Sequence, residues 1–426
     1  MIVEFSVGNF KSIRKTQTIS LIAAPIVAKD ERIDENNVFE SPVGTKLLKV
    51  IGLYGANASG KSNLIKAFMR MMIFISNSFQ NENEIERIEP FALTKDSEAK
   101  PIYFQLTFIA NGQPYRYGFE IQRGKVKSEW LFGPAKKNEV EYFTRIGDEI
   151  KVNKTSFKEG ESVPKGVTRS STLFLNVVHA FNGPIAKEIK NFFAESVIIT
   201  TGINDASFRD STNEMLKRAN LRDQIIDFVK AADFGIDDVM NVEVSENDIA
   251  RNSLHLNKPA NAGGKYEMVM SMRGVSGDGK QPKLFMPFDL FESEGTKKFF
   301  TYAGPIIEAL QHGLCLVIDE FDARLHPSLT RKIVELFSSK DSNKKNAQLI
   351  FVTHDTNLLD AKLLRRDQVY FAEKNKNGES SFYSLVNIGG VRNDASIEKD
   401  YLKGKYGAVP YLSNLKLNSH GAGKKN

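Results

Sequence analysis

Two hydrophobic patterns alternate along much of the chain and predict its main elements. Continuously apolar segments at 47–54, 314–318, 349–352 and 369–372 have the length and composition of strands buried on both faces. Helical periodicity follows the first of them, where six apolar residues fall on one face: Leu64, Ile65, Phe68, Met71, Met72 and Ile75. Buried strands that alternate with amphipathic helices are typical of an α/β fold.

A different pattern occupies residues 101–153. Short segments that alternate apolar and polar residues are separated by turn signals such as Asn111-Gly112. These segments are 102–109, 115–121, 125–132 and 141–146. The pattern predicts an antiparallel meander.

A glycine-rich segment joins the first buried strand to the helix that follows it. Residues 55–62 match G-x-x-x-x-G-K-[ST] in the strand-to-helix context that a phosphate loop requires. Backbone N–H groups and the positive end of the helix dipole suit phosphate oxygens. Lys61 would reach the β- and γ-phosphates, and Ser62 would ligate Mg²⁺. The residues predicted to contact nucleotide are Gly55, Asn57, Gly60, Lys61, Ser62 and Asn63. A glycine-rich structural turn is the alternative.

A second magnesium anchor is expected at the end of another buried strand. Residues 315–318 are apolar and lead into Asp319 and Glu320. Asp319 would hold Mg²⁺ directly or through water, and Glu320 would polarise the attacking water as a general base. Taken alone, the two carboxylates would simply cap the next helix. Their pairing with a phosphate loop favours the catalytic interpretation.

Two further segments follow in an order that identifies a family. Ser293-Glu294-Gly295-Thr296-Lys297 opens a helical pattern upstream of Asp319, and the strand at 349–353 ends at His354 downstream. This order resembles the ABC ATPases, with Walker A, a long middle region, signature, Walker B and switch histidine. Asn9-Phe10-Lys11-Ser12 is similar to the N-F-[KR]-S start of the SMC/RecF/OLD branch.

Four segments, 292–297, 319–327, 351–356 and 401–410, resemble the stand-alone OLD-like ATPases more narrowly. Members of the RloA/RloB and PARIS kind are encoded beside a Toprim nuclease in bacterial phage-defence pairs. The resemblance implies a sensor ATPase that controls such a nuclease. It also implies a homodimer or a higher homo-oligomer.

The resemblance implies an α/β fold, an ABC-type P-loop ATPase head with an antiparallel β lobe and a short helical insertion. The two halves of the head are expected over residues 1–200 and 286–412. Helical periodicity from residue 212 assigns 201–285 to a mostly helical insertion, too short for an SMC coiled coil. Residues 413–426 are expected to form a basic flexible tail.

The family's ATP sandwich gives each motif a role. ATP and Mg²⁺ would lie between the phosphate loop of one copy and the signature of the other, where Ser293 and Gly295 would contact the γ-phosphate. His354 would hydrogen-bond the γ-phosphate as a switch. Taken alone, His354 is compatible with a satisfied loop histidine. His326, followed by proline, is equally compatible with a helix entry and with a nucleotide contact.

The sequence departs from the family pattern at two places. No glutamine stands at 173–182, where the family senses Mg²⁺ and water, so His179 or Asn182 is expected to substitute, or the role is absent. The signature has Glu294 where the family has glycine, which would bring negative charge near ATP and slow turnover.

Composition and charge change this picture little. The 58 Lys+Arg residues against 52 Asp+Glu give a net charge of +6, which tolerates nucleic acid as a partner without requiring it. The single cysteine, Cys315, excludes an intrachain disulfide and a cysteine zinc cluster. No apolar run approaches the roughly 20 residues of a membrane span, and the N-terminus lacks signal-peptide features. A cytoplasmic protein without a membrane partner is expected.

Two rival functions stay open at this level. A RecF-like repair ATPase would bind DNA itself, and Lys217, Arg218 and Arg222 are then candidate contacts, although a solvated helix face explains them better. A scaffold would use the ATP sandwich for assembly with little hydrolysis. Glu294 and the missing glutamine favour the scaffold.

Overall fold

The computed structural model describes residues 1–135, 139–200, 205–232, 235–245, 265–274, 283–392 and 396–410. In chain order its strands are β1 (Ile2–Gly8), β2 (Gln17–Ser20), β3 (Val38–Glu40), β4 (Lys46–Leu48), β5 (Val50–Tyr54), β6 (Ile102–Ala110), β7 (Gln113–Gln122), β8 (Lys125–Gly133), β9 (Val140–Ile146), β10 (Glu149–Val152), β11 (Val197–Thr200), β12 (Asp238–Ser245), β13 (Lys265–Gly274), β14 (Lys283–Pro287), β15 (Cys315–Ile318), β16 (Gln348–Val352), β17 (Val369–Lys374) and β18 (Ser380–Ser384). Its helices are α1 (Glu31–Asn37), α2 (Lys61–Asn77), α3 (Lys158–Glu161), α4 (Phe174–Ala180), α5 (Pro184–Glu195), α6 (Ala206–Leu216), α7 (Ala219–Lys230), α8 (Phe288–Phe291), α9 (Glu294–His312), α10 (Pro327–Ser338) and α11 (Ile397–Leu402). The tail expected at 413–426 lies outside the described residues.

A six-stranded sheet carries the candidate site. Its order is β11-β15-β16-β5-β17-β18, with β18 antiparallel to β17 and the other neighbours parallel. The predicted apolar strands β5, β15, β16 and β17 form its centre. Because parallel strands end at one edge of the sheet, the segments that follow β5, β15 and β16 are brought to the same edge.

The predicted apolar segment at 47–54 is two strands rather than one. Residues 46–48 form β4, which pairs with β3 in a separate two-stranded sheet. After Lys49 the chain enters β5 in the parallel sheet. Hydrophobic pattern alone did not show this division, because both strands are buried.

The predicted antiparallel meander is confirmed and is larger than expected. A seven-stranded sheet has the order β10-β9-β8-β7-β6-β1-β2. The near alternation of apolar and polar residues at 2–7 predicts a strand, and this strand, β1, pairs with β6 across some hundred residues of sequence. The partner of β1 was not predicted, because a strand's local pattern does not encode its neighbour.

The two large sheets enclose α2. On one face of β5, Ile51 and Leu53 pack in a core that also contains the apolar face of α2 and inward residues of the meander. On the other face, Val50 and Tyr54 pack in a second core with α9 and α10. This alternation follows from the two-residue period of a strand buried on both sides.

The region expected to be mostly helical contains strands as well. Helices α6 and α7 pack against α9, and β12, β13 and β14 form a three-stranded antiparallel sheet beside them. Of these three strands, only β13 has a clear alternating pattern in the sequence, at residues 266–272, which predicts a strand. The strands β12 and β14 were missed because their apolar alternation is weak, and pairing with β13 stabilises them. Within the described part of the chain, no helix combines the length and apolar character of a membrane span.

Candidate functional site

The loop at residues 55–62 leaves β5 and enters α2 at the carboxyl edge of the parallel sheet. Three of its residues have positive φ angles: Gly55 at 147°, Ala58 at 60° and Gly60 at 107°. A Cβ atom at Gly60 would overlap Ser380 and approach Ser12 Oγ at 2.9 Å, so packing as well as backbone conformation requires glycine there. The loop's N–H groups therefore gather at the start of a long helix, an arrangement that suits an anion.

Hydroxyl groups from distant parts of the chain hold one side of this loop. Ser380 Oγ donates to the Ser59 carbonyl at 2.7 Å and is hydrogen-bonded to Ser12 Oγ at 2.8 Å. Asn63 Nδ2 donates to the same Ser12 oxygen at 2.7 Å. The opening Asn9–Ser12 segment therefore contacts the phosphate loop through Ser12. No motif indicated Ser380, whose role depends on strand β18 lying beside the loop.

The lysine of the motif is the first residue of α2 and is buried. Lys61 Nζ donates to the carbonyl of Gly55 at 2.6 Å and to that of Ala56 at 3.0 Å. Burial lowers the pKa of Lys61 to about 8, although the carboxylates of Asp319, Asp322 and Glu320 act in the opposite direction. A buried ammonium group at the N-terminus of a helix favours an anionic ligand.

Ser62 and Asp319 are brought together from opposite ends of the sequence. Ser62 lies beside the buried carboxylate of Asp319, which accepts the N–H of Glu320 at 3.1 Å. Burial raises the pKa of Asp319 above its usual value; the neighbouring Ser62 hydroxyl, the Glu320 N–H and the charges of Lys66 and Lys61 only partly oppose this rise. A cation at this point would relieve the cost of burying the carboxylate.

The segment after β15 turns sharply around Glu320. Glu320 has a φ of 50°, an uncommon value for a residue with a side chain, and Phe321 N–H then donates to the Val352 carbonyl at 2.9 Å. Asp322 Oδ1 accepts the Thr353 hydroxyl at 2.6 Å and the backbone N–H of His354 at 3.1 Å. The ends of β15 and β16 are therefore tied to each other.

His354 lies beside the same charged groups. Its side chain is exposed on one side, while packing on the other side and the Lys61 ammonium lower its pKa; Asp322 and Asp319 act in the opposite direction. The imidazole is therefore neutral near pH 7 and has one N–H to donate. The structure thus groups Lys61, Ser62, Asp319 and His354 at one edge of the sheet.

The predicted signature begins α9. Ser293 is exposed and caps the helix, since its Oγ accepts the N–H of Thr296 at 3.1 Å. Gly295 lies against the loop after β15: a Cβ atom there would be 3.0 Å from the carbonyl oxygen of Arg324. The signature therefore packs beside residues 320–326 of its own chain.

Glu294 has a different environment from the one expected. Its carboxylate is paired with Lys297 Nζ at 2.9 Å and with Arg324 Nη1 at 2.8 Å. The hydrogen bond from Lys297 is the main cause that lowers the pKa of Glu294. Its negative charge is therefore balanced within the chain, which weakens the prediction that Glu294 slows turnover by repelling ATP.

His326 caps a helix, and His179 and Asn182 lie far from the group around Lys61. His326 caps α10, with Nδ1 accepting the Ser328 N–H at 3.2 Å, as expected for a helix entry. Asn176 of α4 contacts Ser78, at the end of α2 opposite the phosphate loop. Because α2 spans about 25 Å, neither His179 nor Asn182 at the end of α4 is near Lys61. The substitution proposed for the missing glutamine is therefore wrong for both residues.

Comparison with known proteins agrees with this geometry. A family model described as AAA domain, putative AbiEii toxin, Type IV TA system matches residues 50–360, well over half of the chain. The chain belongs to this family. It is an ATPase of the AAA/ABC type, and membership implies nucleotide binding at the loop described above. A search of curated proteins finds no significant match.

Two solved structures are distant likenesses of this ATPase. The SMC head domain from Thermotoga maritima has a TM-score of 0.42 and 15% identity, covering 90% of this chain and 98% of that one. The structure of cbiO1 from Clostridium perfringens, part of the ABC transporter complex cbiONQ, has a TM-score of 0.32 and 10% identity, covering 95% and 92%.

Proposed function

We propose that this ATPase closes around Mg²⁺-ATP as a homodimer and thereby controls a nuclease partner in antiphage defence. The observation that carries the proposal is the position of Ser62 beside the buried Asp319 carboxylate, because these oxygens meet only if both ends of the chain build one site. The chemistry, the dimer and the nuclease partner rest on separate features of the chain.

The residues present fit a magnesium ion. Ser62 supplies a hydroxyl oxygen and Asp319 a buried carboxylate, the hard oxygen donors that Mg²⁺ prefers together with substrate phosphates and waters. Among the described residues no group of three His, Cys, Asp or Glu side chains surrounds a metal position, as expected for a site completed by phosphate. When bound, the ion neutralises charge on the phosphate oxygens.

Hydrolysis is assigned to two residues at the same edge. Glu320 is held by a strained backbone directly after Asp319 and acts as the general base that takes a proton from water. His354 donates its N–H to a γ-phosphate oxygen, which its lowered pKa and its nearness to Lys61 support. Gly55, Asn57, Gly60 and Asn63 line or support the loop around the phosphates.

The outward position of the signature supports the proposed dimer. Ser293 and Gly295 contact Thr296 and Arg324, whereas the phosphate loop contacts β18 and residues near the C-terminal end of the described chain. A helix N-terminus with an exposed hydroxyl is an anion site. In the proposed sandwich, this site meets the γ-phosphate bound to a second copy.

The defence role and the nuclease partner are proposed from sequence resemblance and from the family description. They rest on the resemblance of residues 292–297, 319–327, 351–356 and 401–410 to OLD-like ATPases paired with a Toprim nuclease. The family description, a putative AbiEii toxin of a type IV TA system, supports a role as one component of such a system.

The rivals receive less support. Lys217 is paired with Glu214 and Glu267, and Arg222 with Asp238, so these cations of the candidate DNA contact are already engaged. The pairing of Glu294 removes one of the two reasons for a scaffold with little hydrolysis. A scaffold stays testable by blocking hydrolysis.

One experiment tests the proposal. The Glu320→Gln protein, expressed in its native cells, is purified with Mg²⁺-ATP and analysed by light scattering and mass spectrometry, with Lys61→Met as the matched control. We expect a dimer or larger assembly that carries a soluble nuclease in stoichiometric amount, and neither with Lys61→Met. A monomer, or recovery with DNA and no nuclease, would contradict the proposal.

A further inference from the structure

The C-terminal strap, residues 396–410, lies against the phosphate loop. It begins with α11 and continues through a turn in which Ala408 has a φ of 58°. Ile397, Tyr401, Tyr406 and Ala408 are all buried in the core on the α9 side of the parallel sheet. A segment that buries four side chains is an integral part of the ATPase fold rather than a loose end.

The strap makes one direct bond to the phosphate loop. The N–H of Ala56, the second residue of the loop, donates to the carbonyl of Ala408 at 2.8 Å. That N–H is therefore committed to the strap and is not a phosphate ligand. The bond fixes the loop directly after Gly55, whose φ of 147° makes the backbone turn away from β5.

A single hydroxyl group holds the carbonyl that makes this bond. Tyr401 Oη donates to the same Ala408 oxygen at 3.2 Å. The Tyr401 ring is stacked on Phe371 of β17, with centroids 5.2 Å apart and planes 14° apart. The ring position is therefore set by the sheet, and the hydroxyl transmits that position to Ala408.

The strap also contacts the segment that follows His354. Thr356 Oγ1 donates to Glu398 Oε1 at 2.9 Å. The same short segment thus touches the phosphate loop at one end and the residues after His354 at the other. A segment that only covered the surface would not be expected to contact both the phosphate loop and the residues after His354.

We propose that the strap positions the phosphate loop for nucleotide binding, and that the Tyr401 hydroxyl is the positioning group, acting through the Ala408 carbonyl and the Ala56 N–H. Tyr401 does not touch the nucleotide in this proposal. Its loss should leave the fold intact and weaken the binding of phosphates, because the loop's N–H groups are no longer held in one arrangement. The proposal requires only that the chain binds nucleotide, and neither the dimer nor the nuclease enters it.

The test compares two variants of the full chain that each lose one hydroxyl. Tyr401→Phe removes the bond to Ala408 and keeps the stacked ring. Tyr370→Phe is the matched control, because Tyr370 lies on β17 and its hydroxyl also donates to a backbone carbonyl at 3.2 Å, that of Ser20. The probe is a fluorescent ADP with Mg²⁺, since ADP lacks the γ-phosphate that the proposed dimer contacts.

We expect Tyr401→Phe to bind ADP about three- to tenfold more weakly than wild type, the effect of losing one or so hydrogen bonds. Tyr370→Phe should bind ADP like wild type, and without nucleotide Tyr401→Phe should melt no lower than Tyr370→Phe, whose hydroxyl also accepts the Ser20 N–H at 3.2 Å. Equal ADP affinity in the two variants would overturn the proposal. So would a loss of affinity that only parallels a lower melting temperature of Tyr401→Phe.

Discussion

The phosphate loop and the signature are both helix N-termini, but the chain holds them differently. Lys61 is buried together with Gly55, Ser59 and Gly60 of the loop before it, and strand β18 and the strap bond to that loop. Ser293 and Glu294 are exposed, and the ion pairs of Glu294 with Lys297 and Arg324 hold the start of α9. The N-terminus of α2 therefore lies inside the fold, whereas the N-terminus of α9 is exposed to solvent.

This difference indicates that the phosphate loop is held more rigidly than the signature. Buried hydrogen bonds around the loop are costly to break, because each broken bond leaves a buried polar group without a partner in a low-dielectric environment. Exposed ion pairs contribute little and are screened by salt. The signature can therefore adjust when a second surface approaches, whereas the loop keeps its shape.

The largest effect is expected at the end of β15. Glu320→Gln should lower the rate of ATP hydrolysis about 100- to 10,000-fold, the range for losing a general base, with nucleotide affinity unchanged. Phosphate release and ADP titration measure the two quantities. A variant that hydrolyses ATP within tenfold of wild type would remove Glu320 from the catalytic role.

Removing the buried cation should affect binding instead. Lys61→Met should weaken ADP binding about 30-fold or more, because it truncates a buried charged partner of the phosphates. Fluorescent-ADP titration measures this loss. Lys344→Met, which removes an exposed lysine from the turn before β16, at the opposite edge of the sheet from the phosphate loop, is the control and should change ADP affinity less than threefold.

Ser293, at the exposed N-terminus of α9, should affect dimerisation and not ADP binding. Ser293→Gly deletes the hydroxyl while glycine remains an acceptable N-cap, so the helix should lose little stability. We expect ATP-dependent dimerisation of the Glu320→Gln protein to weaken about ten- to 100-fold, as for a lost hydrogen bond to a charged group, with ADP affinity unchanged. Sedimentation in ATP tests this. Normal dimerisation would mean that Ser293 is not part of the interface.

The pKa of Lys61, lowered by burial to about 8, makes phosphate binding depend on pH. Phosphate requires the ammonium form, so ADP affinity should be constant below pH 8 and fall about tenfold per unit above it. Stability should change the other way: a lysine whose pKa is lowered on folding costs stability below pH 8, and this cost disappears as pH rises toward 10.5. Titrations and thermal unfolding from pH 7 to 10 measure both. An affinity independent of pH up to 9 would contradict the assignment.

The smallest effect concerns the ion pairs of the signature. Glu294→Gly should change the ATPase rate less than about fivefold, because the carboxylate is already balanced by Lys297 and Arg324 on the surface. Steady-state hydrolysis at low and high salt measures it. A rise of tenfold or more would instead show that Glu294 faces ATP and slows turnover.

The central strands, the meander and the phosphate loop were predictable because their signals are local. A buried strand is continuously apolar, a meander alternates between turns, and the loop before Lys61 needs glycine at Gly55 and Gly60 for its backbone. Asp319 and Glu320 followed from their place after an apolar strand. The strands β11, β12 and β14 were not predictable, because pairing rather than pattern makes them strands.

By itself, the sequence indicated which residues are the candidates for phosphate chemistry, because glycines, a lysine and carboxylates at strand ends have few other uses in that order. Only the tertiary structure decided what holds them. Ser380 and Ala408 act on the phosphate loop through a hydroxyl and a carbonyl that any sequence contains, and Arg324 balances Glu294 through space. Such contacts join residues distant in the chain, and no local pattern encodes the distance that folding closes between them.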